Sequence, residues 1–288
     1  MSLTTASITF VGAGSMAEAI VRGLAQQPDG DAARITVLNR QDTARLLSLQ
    51  ESYGVSYAAD TAGKNSAIAD ADIVVVAFKP KDAIEGLRSI ASLLKPSQLL
   101  VSVIAGLSIA TIETILGTSG QPIARTMPNT SSSIGLGATG ISFSSSVTPE
   151  QQQLAIDMFK STGIVSVVDE SKLDIVTGVS GSGPAYIYYM MEAMIEGGIR
   201  GGLSPEAAKE LTVQTVLGAA QMVQLTGENP ADLRRKVTSP NGTTQAALET
   251  MDAHQFSEGV TKAVLRSAER AGELGEAISA QASAVETK

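Results

Sequence analysis

Late in the chain, Val237-Thr238-Ser239-Pro240-Asn241-Gly242-Thr243-Thr244 runs directly into a stretch of helical character, Gln245-Ala246-Ala247-Leu248. Pro-Asn-Gly makes a turn, and a helix opening from it gathers unpaired N–H groups and two threonine hydroxyls at one place. That combination suits a small carboxylate of the kind an amino-acid-like molecule carries. A second constellation opens the chain, where Phe10-Val11-Gly12-Ala13-Gly14-Ser15-Met16-Ala17 follows an apolar run and leads into a helical one. This is the Gly-x-Gly-x-x-Gly/Ala arrangement: Gly12 makes the tight turn, Gly14 lets a pyrophosphate approach the backbone, and Ala17 packs helix on sheet. An ordinary strand-to-helix turn uses the same residue types. Its place after an apolar N-terminal strand is what points to a dinucleotide.

The next apolar run ends Val37-Leu38-Asn39-Arg40, where an enzyme preferring NAD carries an acid for the ribose 2′-hydroxyl. No acid is present. Arg40, helped by Asn39, offers paired N–H donors to a 2′-phosphate, so NADPH is the expected cofactor and NADH a weaker one. The alternative is a solvent-exposed arginine in a loop.

Composition narrows the chemistry. Zero cysteines exclude disulfides, thiolate metal sites and a cysteine nucleophile, and the single histidine, His254, leaves no histidine cluster, so no metal site is expected. His254 sits in a polar segment and is not assigned to catalysis. A formal charge of −8 argues against nucleic acid as a partner. No apolar run approaches the roughly 18 residues that a membrane span needs, and residues 1–7 carry neither a basic leader nor a signal-type segment. A soluble, cytoplasmic protein is expected.

These groups need a scaffold. In the first part, β-branched runs alternate with helical stretches, the pattern of a parallel sheet covered on both faces. The strands are expected at 8–11, 34–38, 73–78 and 99–104, then 122–125, 138–143 and 164–168. Helices are expected at 16–26, 43–50, 81–94, 109–116 and, from the Thr148-Pro149 start, to about 161. After about Glu170 the β-branched runs stop. Helices are then expected at 184–200, 205–225, 230–235, 244–251 and 257 to about 280, two of them opened by Ser204-Pro205 and Asn229-Pro230. The organisation is thus α/β, a doubly wound domain over 1–170 followed by an all-helical domain over 171–288. Residues 184–225 are crowded with Ala, Met, Ile and Gly and weakly charged, so their helices need a partner's identical helices to cover them. A homodimer through the helical domain follows.

Two further stretches, Ala124-Arg125-Thr126-Met127-Pro128-Asn129-Thr130 and Val179-Ser180-Gly181-Ser182-Gly183-Pro184-Ala185-Tyr186, taken with the late turn, make the chain resemble the pyrroline-5-carboxylate reductases nearly end to end. That family reduces a cyclic imine to proline, the last step of proline biosynthesis. The resemblance implies a Rossmann-type first domain and a dimerising helical second one, with some relatives stacking dimers into rings. It assigns the cofactor to Gly12, Ala13, Gly14, Ser15, Met16, Asn39 and Arg40, to Ala77, Lys79 and Pro80 on the adenosine side, and to Ile104 and Ala105 near the nicotinamide. Phe78 stands where the family usually has valine, read as a packing change. Asn65 is left out because its spacing from the following strand is shifted by about one residue. Met127, Pro128 and Asn129 match a motif lining the nicotinamide pocket, although a core methionine and a turn asparagine fit equally well.

The resemblance also places the substrate carboxylate on Asn241, Gly242, Thr243 and Thr244, with the Thr244 hydroxyl at the ring nitrogen. Most relatives have glycine at the position of Asn241, and asparagine is the next residue to tolerate a left-handed backbone. A Thr-Thr helix cap is the alternative use of these residues. Ser180 to Gly183 is read as a tight helix entry, with capping serines and Pro184 at the first helical position. Two other functions compete: a related reductase for another cyclic imine or a hydroxy acid, and a nucleotide sensor without turnover. For the hydroxy-acid version, Lys172 lies before the glycine-rich turn rather than after it. For the sensor, the fingerprint and Thr243-Thr244 together count against it.

Overall fold

Buried parallel strands have no polar face, and β4, Ile73–Val76, is four consecutive apolar residues, all of them buried. In the computed structural model, which describes residues 2–27 and 30–286, Ile73 and Val75 belong to one core cluster and Val74 and Val76 to another. The strand's two-residue period thus feeds two layers, one on each face of the sheet.

The elements follow in the order β1 Ile8–Val11, α1 Ser15–Ala25, β2 Ile35–Leu38, α2 Thr43–Tyr53, β3 Ser56–Ala58, α3 Thr61–Ala69 and β4, then α4 Ala83–Ala91, β5 Leu99–Ser102, α5 Ile109–Leu116, β6 Ile123–Met127, β7 Gly137–Phe143, α6 Pro149–Lys160 and β8 Gly163–Val167. They build one eight-stranded sheet ordered β3-β2-β1-β4-β5-β6-β7-β8. Helices α1, α2 and α6 cover one face through Ile20, Leu24, Leu46, Met158 and Phe159. Helices α4 and α5 cover the other through Leu87, Ile90, Ile112 and Ile115. Thr148 caps α6 with a reciprocal box to Gln151 and with Pro149 in the first turn, the start read from the sequence.

The sheet is not parallel throughout. β7 pairs antiparallel with β6, and β8 pairs parallel with β7. Only one turn of 3-10 helix, Thr130–Ile134, joins β6 to β7. Without a crossover helix the chain can only return antiparallel.

After β8 the chain enters α7 Leu173–Val176, a π turn Thr177–Gly181, and then α8 Gly183–Arg200, α9 Pro205–Thr226, α10 Pro230–Lys236, α11 Thr243–Ala253 and α12 Phe256–Glu286. The chain divides into two compact units, residues 1–182 with 266–288, and residues 183–265. The expected change at 170/171 marks where the strands end, but packing carries the first unit further. Arg125 of β6 pairs with Glu170 and Asp174, and Leu173 and Val176 sit against Gly140 of β7. The later part of α12 also belongs to this unit, placing Ile278 and Ala282 in the α4/α5 layer. Its Gly275 meets Gly106 so closely that a Cβ on Gly275 would fall on the Gly106 carbonyl oxygen. Residues 183–265 are all helical in their regular structure, as expected. Among the described residues no helix is long and apolar enough to cross a membrane.

Candidate active site

The glycine-rich loop follows β1. Gly12 has φ +114°, and a Cβ there would lie 2.6 Å from the carbonyl oxygen of Ala77, so position and backbone both require glycine. Gly14 is the N-cap of α1 and has nothing within 4 Å of a Cβ position, leaving the helix N-terminus open to a ligand. Ala13 is buried, Ser15 exposed, Met16 packed against the core and Ala17 fully buried. The loop is held by α2: Arg45 Nε donates to the Ala13 carbonyl at 3.0 Å. Glu18 accepts from Arg45 at 2.6 Å and from the Tyr53 hydroxyl at 3.0 Å. The Arg45 hydrogen bond holds the Glu18 carboxyl below its ordinary range, while burial and then the Glu18 contact push Tyr53 up.

Beside this loop lies a cavity of about 520 Å³. It brings together Gly12, Asn39, Arg40 and Ala77 of the residues read from the sequence, over an apolar lining that includes Leu38, Ile68, Ile90 and Leu93. Lys64 and Glu85 line it too, and so does Asn65, which sequence spacing had set aside. Arg40 pairs with Glu85, and Lys64 Nζ donates to the Arg40 carbonyl at 3.3 Å. Phe78 fills the space a larger residue would need at Gly86, where a Cβ would meet the ring at 2.6 Å. Apolar walls with guanidinium and ammonium groups fit an adenosine carrying a 2′-phosphate. Lys79 and Pro80 are not in the lining; Lys79 is exposed and Pro80 opens a single 3-10 turn.

Past β5, Ile104 is fully buried in the second core cluster, so only its backbone can face a ligand; Ala105 is half-buried. Met127, half-buried, rests its methyl against Gly181, where a Cβ would come within 2.6 Å. Asn129 uses both ends of its amide structurally, donating to the Ser180 carbonyl at 3.0 Å and accepting from the Ala138 N–H at 3.1 Å. The glycine-rich 180–183 segment differs from the reading of a capped helix entry. Its first two residues, Ser180 and Gly181, close the π turn continuous with α7, Ser180 Oγ donating back to the Val176 carbonyl, and Ser182 beyond it contacts Ser267 Oγ through its own Oγ. Pro184 is the second residue of α8, not the first.

The late turn belongs to the second unit. Asn241 has φ +57°, the left-handed conformation read for it from the sequence. Its N–H donates to Gln245 Oε1 at 2.8 Å, and the Gly242 N–H to the Ser239 carbonyl at 3.0 Å. Gly242 is the N-cap of α11, so Thr243 and Thr244 are its first two helical residues and neither caps it. Among the described residues neither hydroxyl has a hydrogen-bond partner. Thr244 is half-buried and Thr243 exposed. The first-turn N–H groups and the positive end of the helix dipole suit a carboxylate. His254 is the exposed C-terminal cap residue of the same helix, and no cluster of metal-binding side chains occurs among the described residues.

Two family models match the chain. One, described as pyrroline-5-carboxylate reductase dimerisation, covers residues 170–274, and one described as NADP oxidoreductase, coenzyme F420-dependent, covers 7–106. Pyrroline-5-carboxylate reductase 1 of Bacillus subtilis is 40% identical over 271 residues, 94% of this chain and 90% of its own. Among solved structures, a pyrroline-5-carboxylate reductase from Coxiella burnetii has 37% identity and a TM-score of 0.86, covering 94% of this chain and 98% of its own. Plasmodium falciparum pyrroline carboxylate reductase with NADP bound has 28% identity and a TM-score of 0.82, covering 94% and 99%. An N-terminal dinucleotide fold, a helical dimerisation region and 40% identity along nearly the whole chain together place this protein in the pyrroline-5-carboxylate reductase family.

Proposed function

We propose that this chain reduces 1-pyrroline-5-carboxylate to L-proline with NADPH. The observation that carries the reading is the 40% identity to a curated reductase over 94% of the chain. The turn at Asn241, which offers a helix N-terminus and two unpartnered hydroxyls to a small carboxylate, supports it in chemical terms.

Bound NADPH supplies the hydride, and the product gains one further proton on nitrogen. The N–H groups at Thr243 and Thr244 hold the substrate carboxylate, and the Thr244 hydroxyl hydrogen-bonds the ring nitrogen and fixes the face of the ring. An iminium carbon is already electrophilic, so orientation and preorganised dipoles suffice where a ketone would need a strong general acid. That accords with a sequence of one histidine and no cysteine. Gly12 to Met16 take the pyrophosphate and Asn39 with Arg40 the 2′-phosphate. Ala77 takes the adenosine and ribose side, with Lys79 and Pro80 following it in the loop outside the cavity lining, the backbone at Ile104 and Ala105 lies toward the nicotinamide, and Met127 borders the substrate. NADH serves as a weaker donor. The compartment we propose is the cytoplasm, where both reactants are soluble.

Expression in a bacterium that lacks its own reductase tests the assignment. The wild-type chain should restore growth without proline. Failure of a well-expressed, folded wild type would overturn it.

The chain carries its family's dimerisation region, so it forms a homo-oligomer. The finer proposal is a dimer through α8 and α9, with dimers able to stack into a ring. Helix α8 has no buried residue, and α9 buries only Ala208 and Thr212, leaving Tyr189, Leu217 and Leu225 exposed. Faces of that kind call for an interface above about 2,000 Å². Light scattering at assay concentration should give at least twice the chain mass; a fully active monomer would contradict it.

A further inference from the structure

The carboxylate that β2 lacks is supplied from another element. Glu85, in the first turn of α4, lines the same cavity as Arg40 and pairs with its guanidinium from 45 residues away. Both side chains stay open to solvent, at 70% and 68% exposure, so an incoming ligand can reach either. The ionisable lining is balanced, with Arg40 and Lys64 against Asp82 and Glu85.

This balance bears on which dinucleotide is accepted, an inference that rests on reading the cavity as the adenosine site. A 2′-phosphate that binds Arg40 must share the guanidinium with the Glu85 carboxylate or displace it, and in either case lies beside its charge. A 2′-hydroxyl brings a donor that a carboxylate accepts. We infer that Glu85 is a specificity-determining residue: it competes with the 2′-phosphate for Arg40 and accepts the 2′-hydroxyl of NADH, narrowing the preference for NADPH that Arg40 creates. An exposed ion pair contributes little to folding, so the effect belongs to the ratio of ligand affinities and not to stability.

Calorimetric titration with 2′,5′-ADP and with 5′-ADP tests this without turnover, on the wild type, Glu85→Gln, Arg40→Met and the double variant. Glu85→Gln should bind 2′,5′-ADP about two- to fivefold more tightly, the scale of an exposed charge interaction, with its melting temperature unchanged. It should not bind 5′-ADP more tightly. The gain should fade at high ionic strength and largely vanish in the Arg40→Met background. Unchanged 2′,5′-ADP affinity, equal tightening of both nucleotides, or a full gain without Arg40 would each overturn the inference. A wild type that binds neither nucleotide would overturn the adenosine-site reading itself, and the inference with it.

Discussion

Arg45 donates from Nε to the carbonyl oxygen of Ala13 at 3.0 Å, tying α2 to the glycine-rich loop after β1. Glu18, on the helix that opens from that loop, grips the same guanidinium. Arg45→Met should therefore loosen the loop while leaving Thr244 alone. Loss of one charge-assisted bond predicts a KM for NADPH raised about three- to thirtyfold, with kcat at saturation little changed. An unchanged KM would show that the loop holds its shape without Arg45.

The same contact gives a pH dependence. Glu18 has a folded pKa below its ordinary 4.5, chiefly through the Arg45 hydrogen bond. Its stabilising contribution is thus complete above the unfolded value and is lost as pH falls through the folded one. Thermal melts of the wild type and Glu18→Gln should differ at neutral pH and converge below 4.5. A difference that stays constant on acidification would remove Glu18 as the titrating group.

Gly275 of α12 and Gly106 after β5 touch backbone to backbone. Gly275→Ala should overpack this crossing and cost about 1–3 kcal/mol, lowering the melting temperature by several degrees. An unshifted melt would mean that α12 can move away from β5 without penalty.

At the turn, the φ of +57° at Asn241 predicts that Asn241→Gly leaves the KM for the imine nearly unchanged, while the β-branched Asn241→Val raises it. Thr244→Val keeps the shape and removes the hydroxyl. Its kcat should fall about ten- to a thousandfold, with cofactor binding unaffected, the range set by about 1.4–4 kcal/mol of transition-state contact. Steady-state kinetics and NADPH titration separate the two effects, and wild-type kinetics for Thr244→Val would remove it from the chemistry.

What could be read in the sequence was local. Gly12 and Asn241 announce their backbone conformations because residue type alone decides which can turn that way. Thr148-Pro149 and Ser204-Pro205 announce helix starts for the same reason. Strand β3 escaped notice because Ser56–Ala58 has three half-buried residues and no apolar run, and α3 because its apolar stripe amounts to one buried residue, Ile68. The reversal of β7 depends on a short connection, not on the composition of the strand. Glu85 could not be paired with Arg40 in advance, since only the fold brings the first turn of α4 and the end of β2 to one cavity. Nor could the bonds of the Asn129 amide to the Ser180 carbonyl and the Ala138 N–H be read from its place after Pro128.

The central claim is the reduction of a five-membered cyclic imine by NADPH, and the most direct measurement follows NADPH absorbance, its loss with 1-pyrroline-5-carboxylate or the six-membered imine and its appearance from NADP+ with a hydroxy acid, with proline determined in the product of the first. Consumption of NADPH that depends on the five-membered imine, matched mole for mole by L-proline and fastest with that substrate, is the predicted result. No turnover with 1-pyrroline-5-carboxylate, or faster turnover with the hydroxy acid, would contradict it.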